Sequence, residues 1–168
     1  MAGWNSKTKK RKNAIAMGFR SGLEEETAKL LDFHKVKYEF EPDDMKLEWH
    51  VKSRKKSLSC MECGCKLIKE SHIYTVDFSL ENGAVLLESK GRFMSADRVK
   101  MLAIQELYPD KLVIMLFANP NSKISKGSKT KYKDWCDSKK IKWLDFRDNE
   151  WVYKMNRMIV NWKKERNK

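Results

Sequence analysis

Apolar positions along this chain fall into short blocks with two different periods. After Ser21, the residues Leu23, Thr27, Leu30, Leu31 and His34 recur at the three-to-four spacing of one helix face. Ser21 followed three residues later by Glu24 is a capping-box start for that helix. Val36 to Phe40 reads as a short strand ended by Glu41-Pro42-Asp43-Asp44, and residues 50–70 are polar and read as an insertion or loop. Two strands then flank Asn82-Gly83, the strongest short-range hairpin signal. Ser95 caps a predicted helix that runs to about Tyr108, where Pro109-Asp110 stops it. Residues 112–118 are continuously apolar, which predicts a strand covered on both faces. A helix over about 130–138 and a strand over 141–146 follow, then a basic, aromatic end open to a helical reading. This order of elements predicts a mixed α/β domain, a central sheet flanked by helices.

The hairpin makes a sharper statement. A two-residue turn at Asn82-Gly83 sets Asp77 opposite Glu88 and Thr75 opposite Lys90. Alternation along a strand then puts Asp77, Glu88 and Lys90 on one face. Directly opposed Cβ atoms lie about 4.5–5.5 Å apart. Two carboxylates at that distance repel unless one is protonated or a cation sits between them. The flanking Val85, Leu86 and Leu87 make the strand partly buried, where unpartnered charges are costly. A hard, oxygen-seeking cation such as Mg²⁺ answers both demands.

Charge adds a class of partner. The 168 residues carry 36 Lys and Arg against 23 Asp and Glu, a net charge of +13. Such an excess points to a polyanion. It is clustered: residues 1–20 hold Lys9, Lys10, Arg11, Lys12 and Arg20 with no acid, a flexible basic arm. Residues 122–142 hold eight lysines, among them Lys126, Lys129 and Lys131. No apolar run reaches membrane length and no secretory signal is recognisable, so a cytoplasmic protein without a membrane partner is expected. In that compartment cysteines are reduced thiols or metal ligands. Cys60, Cys63 and Cys65 include a Cys-x-x-Cys-Gly knuckle, half of a structural Zn²⁺ site, with His50 or His72 as a candidate fourth ligand. Cys136 and the tryptophans Trp135, Trp143, Trp151 and Trp162 read mainly as buried packing residues.

Asp77, a hairpin, then Glu88-Ser89-Lys90 resembles the PD-(D/E)xK nuclease core, with Val76 where that motif has proline. The resemblance extends, over about residues 14–147, to the phage endonuclease I family. It is carried by Phe19-Arg20-Ser21-Gly22-Leu23-Glu24, Tyr74-Thr75-Val76-Asp77-Phe78, Asn82-Gly83, Glu88-Ser89-Lys90-Gly91, Ser95-Ala96-Asp97-Arg98 and Lys126-Gly127-Ser128, in that order. What it implies is a restriction-endonuclease-like core in a homodimer that exchanges a strand or helix, acting on branched DNA such as four-way junctions in the host cytoplasm. Glu24, Asp77, Glu88 and Lys90 would be catalytic. The three acids would hold Mg²⁺ or Mn²⁺, with Glu24 completing the partner subunit's site. The expected division is a basic arm to residue 20, a nuclease domain over 21–147 with the cysteine-bearing insertion at about 50–70, and a basic tail over 148–168. A same-core nuclease acting on linear or nicked DNA, and a non-catalytic DNA-binding module with a zinc knuckle, are the alternatives.

Overall fold

A computed structural model of the chain describes residues 18–43, 45–52 and 69–167. Lys9, Lys10, Arg11, Lys12, Cys60, Cys63 and Cys65 lie outside these residues. Helix α1 (Gly22–Phe33) leads to β1 (Tyr38–Phe40), β2 (Lys46–Lys52), β3 (Lys69–Thr75), β4 (Phe78–Leu80) and β5 (Val85–Lys90). Then come α2 (Ser95–Leu107), β6 (Leu112–Phe117), α3 (Tyr132–Ser138), β7 (Lys142–Asp145) and α4 (Trp151–Arg166). Among the described residues these form a mixed five-stranded sheet of order β1-β4-β5-β6-β7 and a separate β2-β3 ribbon. The first two pairings, β1 with β4 and β4 with β5, are antiparallel; β5-β6 and β6-β7 are parallel.

The sheet is buried on both faces. Phe78, Leu80, Val85, Leu87, Ile114 and Leu116 pack against Ala28 and Leu31 of α1 and Trp151, Val152, Met155 and Ile159 of α4. Leu86, Val113, Met115 and Phe117 pack against Met101 and Ile104 of α2, Tyr132 and Cys136 of α3, and Leu47 and Tyr74 of the ribbon. All six residues of β6 are buried, as its unbroken apolar run predicts. α1 lies on the sheet of its own chain.

The hairpin register is the predicted one, with Phe78 opposite Leu87, Ser79 opposite Leu86 and Leu80 opposite Val85. Asn82 and Gly83 have φ of 53° and 84°, and the Ala84 N–H donates to the Glu81 carbonyl at 3.3 Å. These are the signs of the left-handed turn that an Asn-Gly pair favours, because its twist matches that of the strands.

Three expectations need correction. The strand before the turn is not continuous: it breaks at Val76-Asp77, and Thr75 pairs with Lys46 of the ribbon rather than facing Lys90. The ends of the 50–70 segment are not loop, since β2 reaches Lys52 and β3 begins at Lys69. Ser95 is the first residue of α2 and not its cap; the cap position is Met94, whose N–H donates to Asp97 Oδ2 at 2.9 Å. Most of the basic, aromatic end over 148–168 is the helix α4, which turns a buried Trp151, Val152, Met155 and Ile159 to the sheet and its basic residues outward. Among the described residues no helix is long and apolar enough to cross a membrane.

Candidate active site

Glu88 and Lys90 stand at the carboxyl end of β5, beside the carboxyl ends of β6 and β7. In open α/β sheets that edge is where ligands bind. Asp77 reaches the same spot from the break between β3 and β4, where the chain leaves the ribbon for the main sheet. The Asp77 carbonyl still accepts from the Glu41 N–H at 3.1 Å, and the β4-β5 register keeps Asp77 beside Glu88. Asp77 and Glu88 are 2 % and 1 % exposed. Lys90 Nζ lies 2.8 Å from Glu88 Oε1 and 3.9 Å from Asp77 Oδ2. The Ser89 N–H and hydroxyl both donate to Asp77 Oδ2, at 2.8 and 3.1 Å.

Three further groups converge that the sequence reading did not assign here. Lys100 of α2 places Nζ 3.3 Å from Glu88 Oε1. The buried Tyr74 hydroxyl of β3 donates to Glu88 Oε2. Arg20, expected on the nucleic-acid arm, puts Nη2 3.4 Å from Asp77 Oδ1 and also pairs with Glu41. No spacing signal could have found Tyr74 or Lys100, because each lies on a different element from Glu88 and meets it only through packing.

Burial splits the two acids. Asp77 is pushed up to about 7 by burial first and by the Glu88 charge second, against the opposing pull of Lys90 and the Ser89 N–H; Glu24 adds to the upward push. Burial would raise Glu88 as well, but Lys90 and Lys100 reverse it and hold this carboxyl below its ordinary range. For Lys90, burial works to lower the value, yet Glu88 and Asp77 hold it above the usual lysine range. Tyr74 is raised well above its ordinary value by burial and by Glu88, which keeps the phenol protonated as a donor. At neutral pH the site therefore holds an ionised Glu88, a charged Lys90 and an Asp77 that keeps its proton far more tightly than a free carboxyl does. Such a pair of acids pushed apart by their surroundings marks chemical sites.

Glu24 is buried and forms the predicted capping box. Its Oε2 accepts from the Arg20 N–H at 2.8 Å and the Ser21 N–H at 3.3 Å, and Ser21 Oγ accepts from the Glu24 N–H at 3.3 Å. Its charge is felt by Asp77 of the same chain, but its oxygens are held by the cap. Among the described residues no three His, Cys, Asp or Glu side chains gather as a ready metal cage. Two buried carboxylates straining against each other still fit a hard cation. Mg²⁺ commonly takes one or two carboxylates and completes its shell with water and substrate phosphate.

His50 pairs in register with Ser71, and His72 with Trp49, so the two histidines occupy opposite faces of the ribbon. At most one of them can join a given metal site. His72 stacks on Trp49 at 4.9 Å between ring centroids. Lys126 and Lys129 are exposed on the loop that follows β6, and Lys131 is half-buried at the α3 cap. Arg98 of α2 ties that loop down, donating to the Ile124 carbonyl at 3.4 Å. The loop thus leaves from the same sheet edge as the acids.

A family model described as phage endonuclease I matches residues 1–167. Endonuclease I of Escherichia phage T7 is 33% identical over 153 residues, covering 90% of this chain and 87% of that one. Endodeoxyribonuclease 1 of Enterobacteria phage T3 is 35% identical over 128 residues, covering 76% of this chain and 71% of its own. With a family model spanning nearly the whole sequence and a relative above 30% identity across nine-tenths of it, the chain belongs to the phage endonuclease I family.

Proposed function

We propose that this protein is a metal-dependent DNA endonuclease that cuts branched DNA, such as a four-way junction, by paired hydrolysis of phosphodiester bonds. The observation that carries the reading is the buried Asp77–Glu88 pair bracketed by Lys90 at the carboxyl edge of the sheet. Kinship to proteins named endonuclease I and endodeoxyribonuclease 1 supports DNA as the substrate.

Asp77 and Glu88 would hold the cation. When bound, it supplies the charge that polarises a phosphodiester and acidifies a water. Lys90 remains protonated at working pH because its two acids hold it so. It therefore serves as a fixed positive charge for the phosphate rather than as a base. Asp77 gives up its proton readily near neutrality, making the second carboxylate available when the site is loaded. Glu24 adds negative charge beside Asp77 and fixes the start of α1. The lysines of the loop after β6 and of the basic arm supply phosphate contacts, which position DNA without reading its sequence. One chain carries one such site among its described residues, and paired cuts across a branch need two, so the working form is a homodimer.

The test is incubation with Mg²⁺ and either a four-way junction or the matched linear duplex. Junction cleavage alone is expected. Equal cleavage of both substrates replaces the reading with a general nuclease, and binding without cleavage replaces it with a DNA-binding module. Glu88→Gln should abolish cleavage while leaving junction affinity within about threefold, since phosphate contacts dominate binding; a fully active Glu88→Gln protein overturns the site assignment.

A further inference from the structure

We propose that Tyr74 and Lys100 are a positioning pair that locks the Glu88 carboxylate, turning Oε1 toward Lys90 and holding Oε2 against the Tyr74 hydroxyl. The inference rests on the reading of Glu88 as a cation ligand and assigns the residues that aim it.

Glu88 reaches into a packed layer on three rotatable bonds, and Lys90 lies two residues away on the same strand. A tether on its own strand does little to fix its direction relative to the rest of the site. Tyr74 and Lys100 come from other elements, β3 and α2, and grip it from outside. The two oxygens are divided between them: Oε2 takes the Tyr74 hydroxyl, and Oε1 faces Lys90 at 2.8 Å and Lys100 at 3.3 Å. The pair is itself joined, because Lys100 Nζ sits 4.6 Å from the centroid of the Tyr74 ring. A cation over a desolvated aromatic face is held by the ring quadrupole. Tyr74 is 2 % exposed, so its ring cannot drift. A buried tyrosine hydroxyl, a strand glutamate and a helix lysine thus close a three-cornered clamp from three elements.

The corners act with opposite sign on a cation at Oε1. The Tyr74 hydroxyl occupies the other oxygen and competes with nothing. Losing it frees the carboxylate to turn, and groups that orient a ligand from behind are typically worth about 10–100-fold in metal affinity or activity. Lys100 is a positive charge already on Oε1. Losing it removes a competitor for that oxygen while loosening the aim.

Titration calorimetry with Mn²⁺ on the full-length protein, together with single-turnover cleavage of a four-way junction, separates these effects. Tyr74→Phe keeps the ring and the fold; it should weaken Mn²⁺ binding about tenfold and slow cleavage at least as much. Its junction affinity in EDTA should match wild type. Lys100→Met should bind Mn²⁺ as tightly as wild type or more so, yet cleave more slowly, and Lys100→Arg should recover most of the rate. Wild-type Mn²⁺ affinity and rate in Tyr74→Phe overturn the proposal, as does Lys100→Met weakening Mn²⁺ binding in parallel with Tyr74→Phe. The underlying reading has its own control: if Glu88→Gln binds Mn²⁺ as wild type does, the cation site itself is wrong, and the positioning role falls with it.

Discussion

Asp77 should cost this protein stability above neutral pH, and replacing it with Asn should return that stability. In the fold its carboxyl is raised from 3.8 to about 7, by burial and by the Glu88 charge. A raised carboxyl means that the folded state holds the proton more tightly than the unfolded chain does. The stability from that proton is fully present below about pH 4 and is lost as pH climbs through about 7. A rise of this size is worth on the order of 4 kcal/mol. The pull of the Ser89 N–H is already included in that rise; Asp77→Asn removes the buried charge but buries a new amide N–H, which costs about 1–3 kcal/mol where it lacks an acceptor. A net gain of about 2 kcal/mol at pH 8 remains, which in a chain of this size raises Tm by roughly 4–8 °C. At pH 4, where folded wild-type Asp77 is protonated and the unfolded chain's is about half so, most of the gain should vanish or reverse. The assay is differential scanning calorimetry of both proteins in EDTA at pH 4 and pH 8. A variant with a lower Tm than wild type at pH 8, or with the same gain at both pH values, refutes the reasoning.

Cation binding and the hairpin turn each give a further expected outcome. Divalent-cation binding at pH 6 to 7 should release protons, because Asp77 is raised to about 7 and a ligand carboxylate must be ionised; calorimetry in buffers of different ionisation enthalpy measures it, and zero release counts against Asp77 as a ligand. Gly83→Ala should destabilise the fold by about 1–2 kcal/mol. Gly83 has a φ of 84°, and an added Cβ would stand 3.1 Å from Met45 Cε. Urea denaturation is the measurement, and an unchanged midpoint shows that the turn does not constrain the hairpin.

Local chemistry was legible in the sequence because it acts over a few residues. Asn82-Gly83 specifies the turn through its own backbone preferences, and the turn specifies the register; that register set Asp77 beside Glu88 before any packing was known. The Ser21–Glu24 capping box and the apolar run of β6 were readable for the same reason, a short-range hydrogen bond in one and complete burial in the other. Tertiary structure decided what closes around the two acids. The break at Val76-Asp77 is invisible in an apolar pattern that continues through it; it exists because β3 pairs with the ribbon while β4 pairs with the main sheet. The sequence marks the end that forms α4 as basic and aromatic, but only packing shows that Trp151, Met155 and Ile159 cover one side of the sheet together with Ala28 and Leu31 of α1. Tyr74, Lys100 and Arg20 lie 14, 12 and 68 residues from Glu88 or on separate elements altogether, and no periodicity links them. A buried carboxylate must find its partners in space, and only the packing of β3 and α2 against β5 brings a phenol and an ammonium to the same glutamate.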